Sequence, residues 1–160
     1  MQNQIATHVL IAGSRDASAA MLDYARRVVR RAQQLSWIIV VGDNPQGVDS
    51  AVVRECRRLQ TSVIVAGVAN FPRNGGCKHG EYVKVERDLY RGAGGGLLSG
   101  YAVRDRWMID TCNRAIFVWN GDSPGTKAGY DYAIARGKQA HLIAKLAEGI
   151  TFERKVAPHG

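Results

Sequence analysis

Short apolar segments of strand length recur along the chain and alternate with longer amphipathic segments. The first, Thr7 to Ala12, is apolar and contains several β-branched residues. Such segments predict buried strands, because strands covered on both faces of a sheet are almost continuously apolar. The predicted strands are residues 7–12, 37–41, 61–66, 115–119 and 139–144.

The segments between these strands carry apolar residues at helical spacing. Ser18 has a side chain suited to the N-cap of the first helix. The apolar stripe of that helix comprises Met21, Leu22, Ala25, Val28, Val29, Ala32 and Leu35, and that of the second comprises Val48, Ala51, Val52, Cys56 and Leu59. Further helices are predicted for residues 101–114 and 128–136. The alternation predicts an α/β fold: a single Rossmann-like three-layer domain with a parallel sheet of about five or more strands.

Residues 67–100 interrupt this alternation. We assign a short helix to Glu81 to Tyr90, whereas residues 92–96 hold four glycines, which disfavour any regular element. A long irregular segment in a compact domain is typical of a functional loop or lid, and a tolerated insertion is an equal alternative. Periodicity is lost after the last predicted strand, so we expect residues 145–160 to be a surface extension. The chain is therefore predicted to be one domain, 1–160, with its core at 7–144.

The chain of 160 residues has a formal net charge of +8 at pH 7. Such a charge favours anionic partners, for example nucleotides or nucleic acid. Its arginines are spread over the first two predicted helices, where solvated helix faces are favoured over a nucleic-acid groove because no aromatic residues interleave with them. They are Arg26, Arg27, Arg30 and Arg31 on the first helix and Arg54, Arg57 and Arg58 on the second.

The three cysteines, Cys56, Cys77 and Cys112, form no CxxC pair. An odd number fits free thiols in a reducing compartment, and Cys56 and Cys112 fall on apolar helix faces that predict core positions. Cys77 and His79 have no second ligand pair at zinc spacing, so neither a metal nor a cofactor is predicted. No apolar run approaches the roughly 18–20 residues of a membrane span, and no signal peptide precedes the first strand. We expect a cytoplasmic protein without a membrane partner.

Three turns rich in small residues follow predicted strands, at residues 13–16, 42–49 and 120–127. The carboxyl ends of parallel strands share one edge of the sheet, where ligands bind in open α/β folds. Unpaired N–H groups at the start of the next helix suit a phosphate. Arg15 is suited to phosphate and Asp49 to ribose hydroxyls. The alternatives are a surface position for Arg15 and hydrogen bonds within its own turn for Asp49.

The best-known nucleotide and hydrolase fingerprints do not occur in the chain. No G-x-G-x-x-G follows the first strand, which argues against a dinucleotide dehydrogenase. No G-x-x-x-x-G-K-[ST] occurs either, because Pro124 to Lys127 lacks the Walker spacing. The G-x-S-x-G elbow of α/β-hydrolases is also missing. These absences argue against the dinucleotide dehydrogenases, the P-loop NTPases and the α/β-hydrolases.

Four motifs in chain order resemble the SLOG superfamily. They are I-A-G-S-R-D at residues 11–16, V-G-D-N-P-Q-G-V-D-S-A at 41–51, Y-A-V-R-D-R-W-M at 101–108 and S-P-G-T-K-A-G at 123–129. The superfamily joins the DNA-processing protein Smf/DprA, the LOG phosphoribohydrolases and small YspA-like proteins. The resemblance covers roughly residues 7–144 and is strongest to the YspA-like pattern of G-x-R-D, G-x-x-x-G-A-D, R-N near a methionine, and a Gly-Thr turn.

The resemblance implies a Rossmann-like fold with a nucleotide at the carboxyl ends of the strands. The implied ligand-binding residues are Gly13, Ser14 and Arg15 in the first turn, Gly42, Gly47 and Asp49 in the second, Arg104 on the third long helix, and Ser123, Gly125 and Thr126 in the last turn. Relatives in this superfamily are often dimers, so a homo-oligomer is expected. Trp37, Trp107 and Tyr130 serve either an interface or the core.

Two departures separate the chain from the LOG enzymes. Those enzymes carry a glutamate three residues after the threonine of P-G-G-x-G-T-x-x-E, where this chain has Gly129, and the double glycine is lost from the turn. Cleavage of an N-glycosidic bond normally needs such a carboxylate. We therefore favour a sensor or binding module for a nucleotide or ADP-ribose-like molecule, with no catalytic residue assigned. The alternatives are a phosphoribohydrolase with its acid relocated to Asp122 or Asp131, and DprA-like single-stranded DNA binding, with nucleic acid the less favoured partner.

Overall fold

One sheet organises the part of the chain that the computed structural model describes, residues 6–146 and 149–155. Within it the strands are β1 (His8–Gly13), β2 (Ile38–Gly42), β3 (Val63–Gly67), β4 (Glu81–Lys84), β5 (Arg114–Trp119), β6 (Gln139–Leu146) and β7 (Gly149–Lys155). Their spatial order is β4-β3-β2-β1-β5-β6-β7. Strands β1 to β6 run parallel, and β7 pairs antiparallel with β6. The predicted α/β class with a parallel sheet is confirmed.

Helices cover both faces of the sheet and complete a three-layer, Rossmann-like architecture. They are α1 (Ala19–Gln34), α2 (Gly47–Leu59), α3 (Gly100–Thr111) and α4 (Pro124–Ala135). Residues of α1 and α2 pack in one core cluster, and residues of α3 and α4 pack in a second cluster on the opposite face. Among the described residues, no helix is both long and apolar enough to cross a membrane.

The central strands are buried on both faces, which explains why they are apolar without alternation. Val9 and Ile11 belong to the core cluster of α1 and α2, and Leu10 belongs to the other. The thiols of Cys56 and Cys112 are buried as predicted. The predicted Ser18 cap is confirmed as well: its Oγ accepts a hydrogen bond from the Met21 backbone N–H at 3.3 Å.

The short helix predicted for residues 81–90 is wrong in its first half. Residues Glu81–Lys84 form β4, which pairs parallel with β3, and only Arg87–Leu89 forms a 3₁₀ turn. Tyr82 and Val83 pack into opposite core clusters, as successive residues of a strand do. Pairing with the free edge of β3 therefore decides the conformation of this segment, and local sequence does not reveal that edge.

The C-terminal residues also differ from the predicted surface extension. Strand β6 continues to Leu146, beyond the predicted core limit at residue 144, and Gly149–Lys155 forms β7 beside it. Residues 147–148 and 156–160 of the predicted extension lie outside the described residues. Ile150 and Phe152 alternate with polar residues in the sequence, which is the period of a strand. Ile150 and Phe152 are its only apolar side chains, so the stretch does not stand out as a strand without its neighbour.

The strand order changes direction at β1. The chain proceeds from β1 to β2 on one side, and later returns to place β5 on the other side. Because α1 and α2 lie on one face and α4 on the other, the loops after β1 and β5 diverge. Such a switch point opens a crevice at the carboxyl ends of the two strands.

Candidate functional site

A cavity of about 290 Å³ opens at this crevice, beyond the ends of β1 and β5. Most of the residues proposed from the sequence line it together, although they are far apart in the chain. These are Gly13, Ser14, Arg15, Asp49, Arg104, Ser123, Gly125 and Thr126. Its apolar wall consists of Leu10, Ala12, Met108, Ile109 and Phe117. Polar groups therefore converge at one end of a cleft whose other wall is apolar, an arrangement typical of small-molecule sites.

A chain of hydroxyl groups joins the β1 turn to the start of α4. The Asn120 backbone N–H donates to Ser14 Oγ at 3.1 Å, and Ser14 Oγ lies 2.6 Å from Ser123 Oγ. Ser123 Oγ donates to Thr126 Oγ1 at 3.1 Å, so Ser14 must donate to Ser123. In this arrangement the hydroxyl hydrogen of Thr126 has no protein acceptor among the described residues. It is left as a donor at the cavity wall.

The backbone of α4 adds further donors at the same place. Ser123 is the N-cap residue, but its side chain makes no capping hydrogen bond. The first N–H groups of a helix have no partner within the helix, and they carry a partial positive charge. A Cβ built on Gly125 meets no atom within 4 Å, so the space in front of this turn is open. The helix start can therefore be approached closely by an anion.

Arg15 supplies a full positive charge to the cavity. Its side chain is exposed, as in the surface alternative, yet it also lines the cleft. In the described part of the chain no carboxylate pairs with its guanidinium. An unpaired arginine with its planar set of donors is suited to phosphate.

Arg104, in contrast, is held by acidic residues. It is buried, and its Nη1 donates to Asp43 Oδ1 at 2.9 Å. Its Nε and Nη2 both donate to Asp105 Oδ1, at 3.2 and 2.9 Å. Three of its donor hydrogens are thus engaged within the protein. Arg104 lines the cavity, and its side chain mainly holds the carboxylates of Asp43 and Asp105 in place.

Asp49 and Asp105 present carboxyl groups to the cavity beside Arg104. Burial raises the pKa of Asp49 to about 6, although Arg104 and a hydrogen bond from the Asn44 backbone N–H oppose the shift. Burial also raises the pKa of Asp105, against the attraction of Arg104. Asn44 lies in the same turn as Asp49, so the hydrogen bond within the turn that was the alternative role for Asp49 is present. Asp49 also lines the cavity.

Two of the glycines proposed from the sequence lie behind the cavity wall instead of on it. A Cβ on Gly42 would stand 2.5 Å from Asp49 Oδ2 and 3.2 Å from Arg104 Cζ. Gly47 has a φ of +71°, and its Cα faces the Ser14 backbone. Because glycine has no side chain, neighbouring groups can come close to the backbone at both positions. They shape the site without facing its interior.

The carboxylates proposed as relocated acids, Asp122 and Asp131, are not among the residues that line the cavity. Asp122 and Asp131 are exposed, and Asp131 Oδ1 pairs with Lys127 Nζ at 2.7 Å. Gly129 does line the cavity, and a Cβ there would lie 3.0 Å from the Phe117 ring. No group of three or more His, Cys, Asp or Glu side chains among the described residues could hold a metal ion.

Sequence reasoning missed three acidic or basic residues near the site. Asp43 is fully buried, and it accepts hydrogen bonds from the Arg73 backbone and guanidinium as well as from Arg104. Burial alone would raise the pKa of Asp43, but the hydrogen bonds from Arg73 and the two positive charges lower it. Asp105 follows Arg104 where the YspA-like pattern has asparagine. This departure from the pattern was the one signal in the sequence that could have drawn attention to Asp105. Arg73 had none, because it lies in the irregular segment.

The fold and the cleft define the class of protein as Rossmann-like α/β. No protein-family model matches the sequence, and no curated protein matches it. Solved structures match its fold. The molybdenum cofactor binding protein of Rippkaea orientalis superposes with a TM-score of 0.69 at 13% identity, covering 90% of this chain and 80% of that one. The molybdenum cofactor carrier protein of Chlamydomonas reinhardtii gives 0.63 at 17% identity, with 86% and 76% covered.

DNA processing proteins share the fold as well. DprA from Streptococcus pneumoniae has a TM-score of 0.63 at 18% identity, and the match covers 89% of this chain but 51% of that one. Identities this low show similarity of fold alone. The neighbours share the Rossmann-like fold that the sequence resemblance implied. The SLOG superfamily and its YspA-like branch stay predictions.

Proposed function

We propose that this protein binds a nucleotide or nucleotide-derived molecule, with its phosphate at the start of α4. The observation that carries the proposal is the convergence of donors there: the Thr126 hydroxyl, the open α4 backbone at Gly125 and the unpaired Arg15 guanidinium. Phosphate is the ligand group that such donors fit best, because it accepts several hydrogen bonds and carries negative charge.

The rest of the cleft suits the non-phosphate part of such a ligand. Asp49, on the wall with Arg104, is placed to accept hydrogen bonds from ribose hydroxyls. Leu10, Met108 and Phe117 provide an apolar surface for a planar base. Two of the named neighbours, those of Rippkaea orientalis and Chlamydomonas reinhardtii, bind or carry the molybdenum cofactor, which supports a small-molecule ligand for this fold. A carrier or sensor role for a ligand of this type follows, and a YspA-like affiliation fits it.

Calorimetric titration with AMP, ADP-ribose, NAD and cyclic AMP tests the proposal, with inorganic phosphate as a minimal probe. We expect at least one nucleotide to bind, and Arg15→Ala and Thr126→Val each to weaken binding about tenfold, the effect of removing one hydrogen bond to a charged group. Arg54→Ala is the matched control, because Arg54 is an exposed arginine that does not line the cavity. A folded protein that binds none of these molecules would overturn the proposal.

A second candidate, hydrolysis of the N-glycosidic bond of a nucleoside monophosphate, is favoured by the two carboxyl groups on the cavity. Water would add across the bond, giving ribose 5-phosphate and the free base. Asp49 has a pKa near 6, so it could exchange a proton near neutral pH, which general acid–base catalysis requires. Release of free base from AMP, abolished by Asp49→Asn or Asp105→Asn but retained in Asp131→Asn, would support this activity. Binding without base release would leave the binding function alone.

A further inference from the structure

A second cavity lies between α3 and α4, beside the first. It also has a volume of about 290 Å³, and Asp105, Ile109, Gly125 and Gly129 line both. Small-molecule sites usually measure about 300–1,000 Å³, so the first cavity alone is at the lower end of that range. Apart from Gly125, the residues that line this groove take no part in the phosphate, base or ribose contacts proposed above.

Arg106 gives this groove a positive charge. Its guanidinium lies 5.0 Å from the centroid of the Tyr132 ring. The Tyr132 hydroxyl donates to Asp110 Oδ2 at 2.9 Å, so the ring is fixed from behind. In the part of the chain that the structure describes, no carboxylate pairs with Arg106. A stacked and unpaired guanidinium retains donors for an anionic group, and its flat face suits a planar one.

Tyr101 lines the same groove near the start of α3. Its ring lies 4.6 Å from the Arg73 guanidinium and 5.2 Å from that of Arg104. Tyr101 is 44% exposed. The groove thus carries exposed aromatic surface as well as charge. Asp105, on the wall shared with the first cavity, is bound by Arg104, which limits its repulsion of an anion.

We propose that the ligand extends from the α4 phosphate site into this groove, where Arg106 and the tyrosines bind a second phosphate-linked group. The ligand class is then ADP-ribose or a dinucleotide, and not a simple mononucleotide. This inference rests on the proposed nucleotide-binding function. It depends on different residues, because Arg106, Ala128 and Tyr132 line the groove and not the first cavity.

The test compares AMP with ADP-ribose and NAD by calorimetry. Ala128 is exposed, and it lines the groove but not the first cavity. Ala128→Phe therefore fills the groove without entering the first cavity. We expect ADP-ribose or NAD to bind about tenfold or more tightly than AMP in the wild type, and Ala128→Phe and Arg106→Ala to remove most of that difference. Affinity for AMP should stay within about twofold in both variants. Ala135→Phe, an exposed change on the last turn of α4, is the matched control.

Different failures are distinguishable. Equal affinity for AMP and the extended ligands in the wild type overturns the extended site and leaves nucleotide binding intact. An advantage for the extended ligands that survives both Ala128→Phe and Arg106→Ala also overturns it, since the second group must then bind elsewhere. Binding of neither AMP nor an extended ligand overturns the proposed function, and this inference with it.

Discussion

Gly47 shows how a single residue fixes the geometry of the cleft. Its φ is +71°, and a Cβ there would collide with the Ser14 carbonyl oxygen and lie 2.6 Å from Arg15 Cα. The first turn of α2 thereby packs against the turn after β1, and the Val48 backbone N–H donates to the Ser14 carbonyl at 3.2 Å. The position of Ser14 in the hydroxyl chain depends on this close approach.

We expect Gly47→Ala to lower the free energy of unfolding by about 1–3 kcal/mol, because it combines a left-handed backbone with a collision against main-chain atoms. Urea denaturation followed by circular dichroism measures the change. Gly125→Ala is the control, since Gly125 has a helical backbone and open space around its Cα. That variant should be as stable as wild type or slightly more stable. Equal stability of the two alanine variants would show that the approach of α2 to Ser14 is not constrained.

Asp49 is the residue whose burial should be visible in the pH dependence of stability. Its pKa is about 6 in the folded protein, against an ordinary value of 3.8. Between these values the folded state binds a proton that the unfolded state has released. Stability from this group is therefore complete below about pH 4 and is lost as the pH rises through 6.

Asp49→Asn should remove this loss, because asparagine resembles the protonated acid and does not titrate. We expect the variant to gain about 2–3 kcal/mol relative to wild type between pH 4 and pH 7, the equivalent of a two-unit shift. Urea denaturation at several pH values measures it, with the exposed Asp122→Asn as a control. Parallel stability profiles of wild type and Asp49→Asn would contradict a carboxyl group buried beside Arg104.

At the scale of elements, the segment of residues 68–80 is anchored at several points, and one of them is a buried carboxylate beside the sheet. Asp43 Oδ2 accepts from the Arg73 backbone N–H at 3.1 Å, and its Oδ1 accepts from the Arg73 Nη2 at 3.0 Å. Asn74 adds a bond from its side-chain amide to the Gly42 carbonyl at 3.3 Å. Arg57 on α2 donates to the carbonyls of Gly76 and Asn74. The segment is irregular in shape but anchored at defined points.

Arg73→Ala should loosen this segment more than it destabilises the fold. We expect faster amide hydrogen exchange within residues 68–80 and a loss of about 1–2 kcal/mol, because the Arg104 guanidinium still neutralises Asp43. Exchange measured by mass spectrometry locates the effect. Arg91→Ala is the control, since Arg91 is exposed and its side chain has no partner among the described residues. Unchanged exchange in residues 68–80 would mean that Arg57 and Asn74 suffice to hold the segment.

At the scale of the whole molecule, the charge of +8 raises the question of nucleic acid. Much of the arginine surface on α1 and α2 is internally paired: the buried Glu55 binds Arg30 and Arg58, each at 2.7 Å. These bonds lower the pKa of Glu55 to about 2, with the Arg58 hydrogen bond the largest cause. Arg30 thus connects α1 to α2, whereas Arg58 pairs within α2, and neither guanidinium is fully available to phosphates.

We therefore expect no stable complex with single-stranded DNA at about 0.15 M salt, since weak nonspecific binding falls steeply with salt. Anisotropy of a labelled oligonucleotide, titrated at several salt concentrations, measures this. Only binding that persists at physiological salt, and that is weakened by replacing the half-buried Arg26 and the exposed Arg54, would contradict it. Such a result would turn the α1 and α2 surface into a nucleic-acid interface.

Much of the fold could be predicted because its signals are local. The apolar runs of β1, β2, β3, β5 and β6 and the stripes of α1 and α2 are visible in the sequence. The side of the cavity to which we assign the phosphate was predictable from local signals as well. Ser14 and Arg15 lie directly after β1, and Thr126 lies in the first turn of α4. Strand β4 was not, because Glu81–Lys84 is a strand only through its pairing with β3.

The other wall of the site also escaped prediction. Arg104 was predicted as a ligand-binding residue, and the sequence did not show that Asp43 and Asp105 engage three of its donors. Asp43 and Arg104 are 61 residues apart, so no pattern along the chain indicates their contact. Gly42 and Gly47 were correctly singled out as special positions, yet their roles depend on which atoms stand opposite them in space.

The sequence by itself determined the alternation of strands and helices, and with it a parallel sheet whose carboxyl edge collects three turns. It could do so because a strand buried on both faces appears as a run of apolar residues, and a helix appears as apolar residues at helical spacing. Both patterns involve only residues close together in the chain. Only the tertiary structure decided that α3 and α4 leave a groove that shares lining residues with the cleft. It also decided that, among the described residues, Arg104 pairs with carboxylates whereas Arg15 and Arg106 do not. Those facts follow from distances between distant residues, which the order of the chain does not contain.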